Sequence, residues 1–208
     1  MLLTVHTFLT LDGVMQGPGA PEEDTSGGFS RGGWVVPFAD ETFGKIVNDW
    51  FTKAEAILLG RTTYTMMHAY WSQVTDPDNI VAAKLNGLPK FIASGTLRDP
   101  QWQNTTVLGG DAIEAVRELK SRPGGELQLH GSWGLAQTLH RHGLIDEYRL
   151  LVFPVTVGAG KRLFTEDAPA SGYTLVDSAT TSTGGVYSAL RPRPFEAGNV
   201  EVADGREV

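Results

Sequence analysis

Glu126-Leu-Gln-Leu-His130-Gly-Ser-Trp-Gly134-Leu-Ala-Gln-Thr-Leu139-His-Arg-His-Gly143, with the run that continues to Phe164, is the stretch that decides the fold. The apolar residues Leu127 and Leu129 alternate and give out at Gly131-Ser132. A helical period then begins with Leu135 and Leu139 and ends at Gly143, where a helix C-cap belongs. A second apolar run, Tyr148 to Val157, stops at Gly158. Strand, glycine-rich turn, helix and strand follow one another. In such a unit the turn presents backbone N–H groups and the positive end of a helix dipole, which together suit a phosphate. Gly131-Ser132-Trp133-Gly134 is not a complete GxGxxG, and Gly158-Ala159-Gly160-Lys161 lacks the spacing and the hydroxyl residue of a P-loop. Glycine that only lets a helix pack closely on its strand remains the alternative at this turn.

Working outward, the same unit recurs. Leu2 to Leu11 is expected to form an early, central strand ending at the turn Asp12-Gly13. Asp40 is a candidate N-cap for a helix with Phe43, Ile46, Val47, Trp50 and Phe51 on one face. Ala56 to Leu59 predicts a short buried strand, and Arg61 to Tyr70 a helix opening at Thr62 or Thr63. Lys90 to Ala93 and Thr105 to Leu108 predict two more strands, and Asp111 caps a helix carrying Ile113, Val116 and Leu119. This alternation predicts an α/β protein with a mainly parallel central sheet and helices on both faces. Tyr173 to Ala179 and Val186 to Leu190, around Thr183-Gly184-Gly185, predict a C-terminal antiparallel hairpin. Residues 1–191 are read as one domain and 192–208 as a flexible tail.

On such sheets ligands bind beyond the carboxyl ends of the strands. Here those ends carry Gly60-Arg61-Thr62-Thr63, Ser94-Gly95-Thr96, Gly109-Gly110 and Gly131-Ser132, and several such turns on one edge fit a dinucleotide. Arg61 offers a bidentate fork to a 2′-phosphate; a surface arginine without a ligand is the bland reading. Gln16 to Gly33 holds six glycines, two prolines and the acidic run Glu22-Glu23-Asp24. It is read as a lid or binding loop whose acidic residues form a solvated face, not a metal site.

Composition sets the limits. The chain has 208 residues, 41% hydrophobic and 20% charged, enough for a core without staples. Without cysteine, disulfides, thiolate nucleophiles and Cys-bound zinc are excluded. A net charge of −7 argues against a general nucleic-acid binder. No run approaches the ~20 apolar residues of a membrane span, so a cytoplasmic protein is expected, with no membrane and no nucleic-acid partner. His140 and His142, two apart on a helix, face different ways and make no metal pair.

The chain resembles the dihydrofolate reductase-like superfamily, more closely its bacterial branch related to the C-terminal reductase domain of the riboflavin-synthesis enzyme RibD. The resemblance rests on Leu11-Asp12-Gly13-Val14-Met15-Gln16-Gly17, Leu59-Gly60-Arg61-Thr62-Thr63-Tyr64 and Lys90-Phe91-Ile92-Ala93-Ser94-Gly95-Thr96-Leu97. It continues with His130-Gly131-Ser132, Gly143-Leu144-Ile145-Asp146-Glu147, Pro154 and Gly158 to Phe164. It implies a dihydrofolate reductase-like fold that binds NADPH. Gly60, Arg61, Thr62 and Thr63 would face the cofactor phosphates, Ser94, Gly95 and Thr96 the adenosine phosphate, and Gly131, Ser132, Trp133 and Gly134 the pyrophosphate, with Gly109 at a neighbouring strand end. Trp133 departs from the family, which often has glycine there. Asp12 to Gln16 would lie beside the nicotinamide, with Met15, Gln16 and Trp34 in the substrate and lid region.

Dihydrofolate reductases supply a carboxylate from the helix before the Gly-Arg-x-Thr strand. This chain has Gly44 at that spacing, so the folate acid is not carried over. Asp12 and Asp40 are the remaining candidates for a catalytic acid, Asp40 also reading as an N-cap and Asp146-Glu147 as a strand-edge feature. The expected protein is an NADPH-dependent reductase of a small heterocyclic (pteridine or pyrimidine-like) or carbonyl substrate, in a homodimer. The alternative is a non-catalytic nucleotide or ligand binder on the same fold, and a third is an interaction protein using Trp34, Trp71 and Trp133.

Overall fold

A computed structural model describes residues 1–199, 202–203 and 206–207. In chain order the elements are β1 (Leu2–Thr10), α1 (Glu41–Lys53), β2 (Ala54–Gly60), α2 (Arg61–Trp71), α3 (Ile80–Gly87), β3 (Lys90–Ala93), β4 (Thr105–Leu108), α4 (Ala112–Ser121), β5 (Glu126–His130), α5 (Trp133–Arg141), β6 (Glu147–Phe153), β7 (Gly172–Thr180) and β8 (Val186–Arg193). A separate antiparallel pair joins Val202–Ala203 to Arg206–Glu207.

The main sheet has the order β4-β3-β2-β5-β1-β6-β8-β7. Its first six strands are parallel, and β8 pairs antiparallel with both β6 and β7. From β2 the chain steps outward through β3 to β4, whereas from β5 it crosses over β1 to β6. Crossovers of one hand that travel in opposite directions lie on opposite faces. One face accordingly buries Leu58, Leu127, Leu129, Leu3 and Val5 against Ile113, Val116 and Leu119 of α4 and Ala136 and Leu139 of α5. The other buries Ile57, Leu59 and Ile92 against Phe51 of α1, Tyr64 of α2 and Leu85 of α3.

The sequence signals three features differently. No helix is expected between Tyr70 and Lys90, yet α3 forms where the Asn79 side chain accepts from the Ala82 amide and Val81 and Leu85 are buried. It escapes a periodicity reading because it is short and its first residue, Ile80, is exposed. Helix α2 covers the expected span from Arg61, but it is Gly60, not Thr62 or Thr63, that stands at its opening as N-cap. Glu147 is no strand-edge residue: β6 lies between β1 and β8, and Glu147 is buried.

Strand β8 continues past residue 191 to Arg193, with Pro192 opposite Tyr173 beyond the last β6 pair, Tyr148 with Leu190. Of the tail expected over 192–208, residues 200, 201, 204, 205 and 208 lie outside the described residues.

Beneath α1 the sheet face is polar at one end. Arg149 bonds Glu126 through both terminal nitrogens (3.0 and 2.5 Å) and Glu147 through Nε (2.8 Å), while Arg191 reaches the other Glu147 oxygen at 3.1 Å. The Arg149 side chain is 7% exposed, and those of Glu126 and Glu147 are 13% and 6% exposed. Removing one partner of such a group leaves a charge inside without compensation. Arg149→Met is expected to cost about 3–5 kcal/mol, read as a lower urea midpoint, and adding Glu126→Gln and Glu147→Gln is expected to recover part of that loss.

Candidate functional site

The point where the chain reverses direction lies between β2 and β5. In open parallel sheets such a crevice, outside the strand carboxyl ends, is where ligands bind. Two tips meet there through one bond: the Gly60 amide donates to the Ser132 hydroxyl at 2.9 Å. Gly131 (φ +55°) and Ser132 (φ +59°) are both left-handed, which turns the chain sharply from β5 into α5. A Cβ on Gly131 would stand 3.6 Å from the Thr63 methyl, so the two turns are in close contact.

The bond has a consequence for the helices that follow. Side chains of Asp40, Asn79 and Asp111 cap α1, α3 and α4. Neither α2 nor α5 has a side-chain cap, and the Ser132 hydroxyl is engaged with Gly60. The first-turn amides of Arg61 to Thr63 and of Trp133 to Leu135 are therefore unpaired by geometry, and both sets open on the same space.

That space is a cavity of about 1430 Å³, whereas single ligand pockets run to roughly 300–1,000 Å³. Gly60, Arg61, Thr62, Thr63, Gly131, Ser132, Trp133 and Gly134 all line it, together with Met15 and Gln16. Arg61 is exposed and makes no ion pair among the described residues. The Trp133 ring forms part of the wall, its Nε1 donating to the Arg162 carbonyl at 2.8 Å.

Other expected residues stand elsewhere. Ser94, Gly95, Thr96 and Gly109 are not in the cavity wall, and the Ser94 hydroxyl instead accepts from the amides of Thr96 and Leu97 in its own turn. Strand β4 is the sheet edge and β3 lies between it and β2; Ala93 at the end of β3 and Ala112 after β4 do line the cavity, next to these turns. Trp34 is buried in the core beside Phe153, and its Nε1 donates to the Gln16 carbonyl at 2.8 Å; it anchors the lid from behind and does not face the cavity.

Asp12 is also outside the wall. Burial opposes its charge, but the Thr10 hydroxyl and the Val157 and Gly158 amides outweigh that and hold its carboxyl below the ordinary value. Asp40 caps α1 through the Phe43 amide and receives the Ser182 hydroxyl and Thr183 amide. Those donors, Phe43 first, keep it well below the usual carboxylate range. Both candidate acids are thus structural anions in this geometry.

The acidic run is not simply a solvated face. Asp24 pairs with Lys161 at 2.6 Å, and Gln16 Nε2 donates to the Asp24 and Ser26 carbonyls while its Oε1 accepts from the Lys161 amide. The lid is therefore fastened to the loop that follows β6.

The floor of the cavity holds His6, which the sequence reading did not single out, and His130, which it named only within the His130-Gly131-Ser132 motif. His6 of β1 and His130 of β5 are register partners, both line the cavity, and both are buried. Their rings stack at 5.0 Å, His130 also stacks on Phe51 at 4.5 Å, and Trp50 meets His6 edge-on at 5.0 Å. The available signal was alternation: Thr4, His6, Thr10 and Glu126, Gln128, His130 place polar groups on one face of two buried strands.

Burial lowers both imidazoles, His130 to about 3 and His6 well below 6.5, where His130 and Arg149 add to the effect. The unfolded chain then binds protons that the folded chain does not, so stability is present above pH 6.5 and is lost on acidification below it. His130 alone is expected to contribute a loss of about 2 kcal/mol by about pH 5. Urea midpoints followed from about pH 7.5 to 5 should fall, and His130→Phe should flatten that slope.

Over residues 2–187 the sequence matches the RibD C-terminal domain family. It is 27% identical over 178 residues to the uncharacterised protein YyaP of Bacillus subtilis, covering 85% of this chain and 87% of that one. Among solved structures, a protein of Shewanella sp. PV-4 assigned to riboflavin biosynthesis superposes with a TM-score of 0.66 at 18% identity, over 93% of this chain and 99% of that one. A pyrimidine reductase-like protein of Corynebacterium diphtheriae gives 0.60 at 14% identity (93% and 92%). Enterococcus faecalis dihydrofolate reductase, solved with NADP(H), gives 0.59 at 12% (92% and 96%). These structures share the dihydrofolate reductase-like fold with the present one, and by its sequence match the chain belongs to the RibD C-terminal domain family.

Proposed function

We propose that this protein is an NADPH-dependent reductase of a small heterocyclic ring, pyrimidine- or pteridine-like, or of a related carbonyl compound. The observation that carries the proposal is the pair of uncapped helices, α2 and α5, opening from tied strand tips into one large cavity beside the Arg61 guanidinium, which makes no ion pair among the described residues. The residues fit an adenine dinucleotide: amides of Arg61 to Thr63 and Trp133 to Leu135 for the diphosphate, Arg61 for the extra phosphate. Ser94, Gly95, Thr96 and Gly109 belong to this proposal only if the adenosine end extends past the cavity wall. Once bound, the coenzyme would supply a hydride to an electrophilic ring or carbonyl carbon.

The chain's own part is positional. The tied tips fix the distance between the two amide sets, the Lys161–Asp24 pair holds the lid over the space, and the apolar wall from Phe43, Val47 and Phe51 excludes water from it. A second reading, a binding protein without catalysis, is favoured by one observation. Helix α1 turns Gly44 and Asn48 to the cavity and no carboxylate.

Titration of NADPH and NADH against tryptophan fluorescence is expected to show NADPH the tighter. Arg61→Ala should weaken NADPH at least tenfold, about 1.4 kcal/mol, and leave NADH nearly unchanged. Indifference to both at millimolar levels would overturn both readings. If NADPH binds, the loss of its absorbance with a panel of pyrimidinones, pteridines and simple carbonyls divides enzyme from binder. The homodimer is part of the same proposal, since edge strand β7 leaves Leu175 and Val176 exposed. Light scattering is expected to give twice the chain mass, falling to one chain in Val176→Lys.

A further inference from the structure

The side chains beneath the cavity determine which nitrogen of His130 carries the proton. Gln128 Nε2 donates to the Trp50 carbonyl at 2.6 Å and to Glu126 Oε2 at 2.7 Å. The carbonyl and the Arg149-paired carboxylate both accept, so this end of the amide is its nitrogen and the other end, Oε1, is an acceptor. His130 Nε2 lies 3.1 Å from that oxygen and is therefore the donor of the pair. Burial keeps the ring neutral, its pKa lowered to about 3. A neutral imidazole protonated at Nε2 has a bare lone pair at Nδ1.

That lone pair has no partner among the described residues, and it is not shut away. The buried side-chain atoms there that are both unpaired and sealed are His6 Nδ1 and Trp50 Nε1, and His130 Nδ1 is not one of them. His130 keeps 8% of its surface open where His6 keeps 1%, and it belongs to the cavity wall. The faces of its ring are covered by Phe51 at 4.5 Å and by His6 at 5.0 Å, and its Nε2 side is spent on Gln128. What is left open is the edge that carries Nδ1. An imidazole more than nine-tenths buried, with its plane and tautomer both fixed, thus turns an unsatisfied acceptor to the cavity. Buried polar groups are nearly always satisfied, so this one points to a donor that arrives with the ligand.

We propose that His130, through Nδ1, accepts a hydrogen bond from an N–H or amino group of the substrate ring, so that the cavity selects rings whose edge donates over rings whose edge only accepts. The proposal rests on the reading of this cavity as the substrate site and adds the chemistry of the edge that is read there. His130 is the contact. Gln128 lies outside the cavity wall and is a positioning residue, since it fixes which side of the imidazole is without a proton.

The test uses the full chain labelled with nitrogen-15 at histidine and needs no coenzyme. The side-chain spectrum of His130 is expected to show a protonated Nε2 and an unprotonated Nδ1. Two rings are then titrated, 2-aminopyrimidine and 2-methylpyrimidine, which match in size, are both uncharged at neutral pH and differ in whether that edge donates. The amino ring is expected to bind about five- to tenfold more tightly, the worth of one hydrogen bond, and to displace the Nδ1 resonance well beyond what the methyl ring does. His130→Phe, which keeps an aromatic ring beside Phe51, should bring the two affinities together. Gln128→Met, which leaves the imidazole in place and releases its tautomer, should narrow the preference too, a response that a merely structural histidine would not give. Thermal melts report that each variant folds. Equal affinity for the two rings, failure of both to bind at tens of millimolar, a preference that survives in His130→Phe, or a His130 protonated at Nδ1 would each overturn the proposal. The coenzyme's carboxamide also donates; if His130→Phe weakens NADPH and leaves the ring preference intact, the assignment to the substrate falls. Absence of NADPH binding would instead remove the reductase reading, and the ring titrations would still decide the role of His130.

Discussion

The hydrogen bond from the Gly60 amide to the Ser132 hydroxyl is the constraint on which the rest of the site depends. It joins two strands that are neighbours in the sheet but whose following helices leave on opposite faces. Because the hydroxyl is committed across the crevice, it does not cap α5, and because Gly60 carries no side chain, nothing caps α2. A bond of ordinary strength, worth roughly 1 kcal/mol in net stability, thereby fixes where several unpaired amides point. The left-handed backbone at Gly131 and Ser132 belongs to the same device. It turns the chain tightly enough for the hydroxyl to reach back.

A second constraint follows from β1 and β5 lying in the middle of the sheet. Strands buried on both faces are usually apolar throughout. Here Leu3, Val5, Leu127 and Leu129 obey that rule toward α4 and α5, whereas the opposite face carries Thr4, His6, Glu126, Gln128 and His130. These groups are tolerable because they pair with one another: Gln128 with His130 along β5, Glu126 of β5 with Arg149 of β6, and Arg149 with Glu147 along β6. The line of partners begins at the cavity floor and ends at Arg191 near the surface. A face built in this way gives up apolar burial, which favours a site over a packing surface.

Much of the fold was legible because its punctuation is local. Gly60, Gly109 and Gly131-Ser132 end strands, Asp40 and Asp111 open helices, and the apolar periods between them survive into the structure with shifts of one or two residues. The site was legible only in part, for a topological reason. Ser94-Gly95-Thr96 and Gly60-Arg61-Thr62 have much the same chemistry as strings of letters. What separates them is strand order: β2 adjoins β5 at the crevice, whereas β3 and β4 lie one and two strands further out. Strand order is a long-range property that no single turn encodes. The histidines were hidden similarly, since one buried histidine per strand looks like a satisfied core residue until the register sets His6 opposite His130. Trp34 misled in the opposite direction: an aromatic in a glycine-rich loop suggests a ligand contact, yet its indole is spent on the Gln16 carbonyl.

The lid shows how the two ends of the chain complete one site. Backbone bonds run from the Met15 amide to the Lys161 carbonyl and from the Leu163 amide to the Gly13 carbonyl, and Val14 and Arg162 form an antiparallel bridge. Gly160 sits at φ +136° with an added Cβ only 2.7 Å from Val14, so the contact is close enough to demand glycine. Lys161 then projects to Asp24 and Ser26 and lies 5.9 Å from the centre of the Trp133 ring. One side chain therefore touches the lid, the loop after β6 and the first turn of α5. The lid does not depend on that ion pair alone: Gln16 bonds the Asp24 and Ser26 carbonyls, the Trp34 indole bonds the Gln16 carbonyl, and Phe29 is buried beneath it, so a segment rich in glycine is held by side chains drawn from both of its ends.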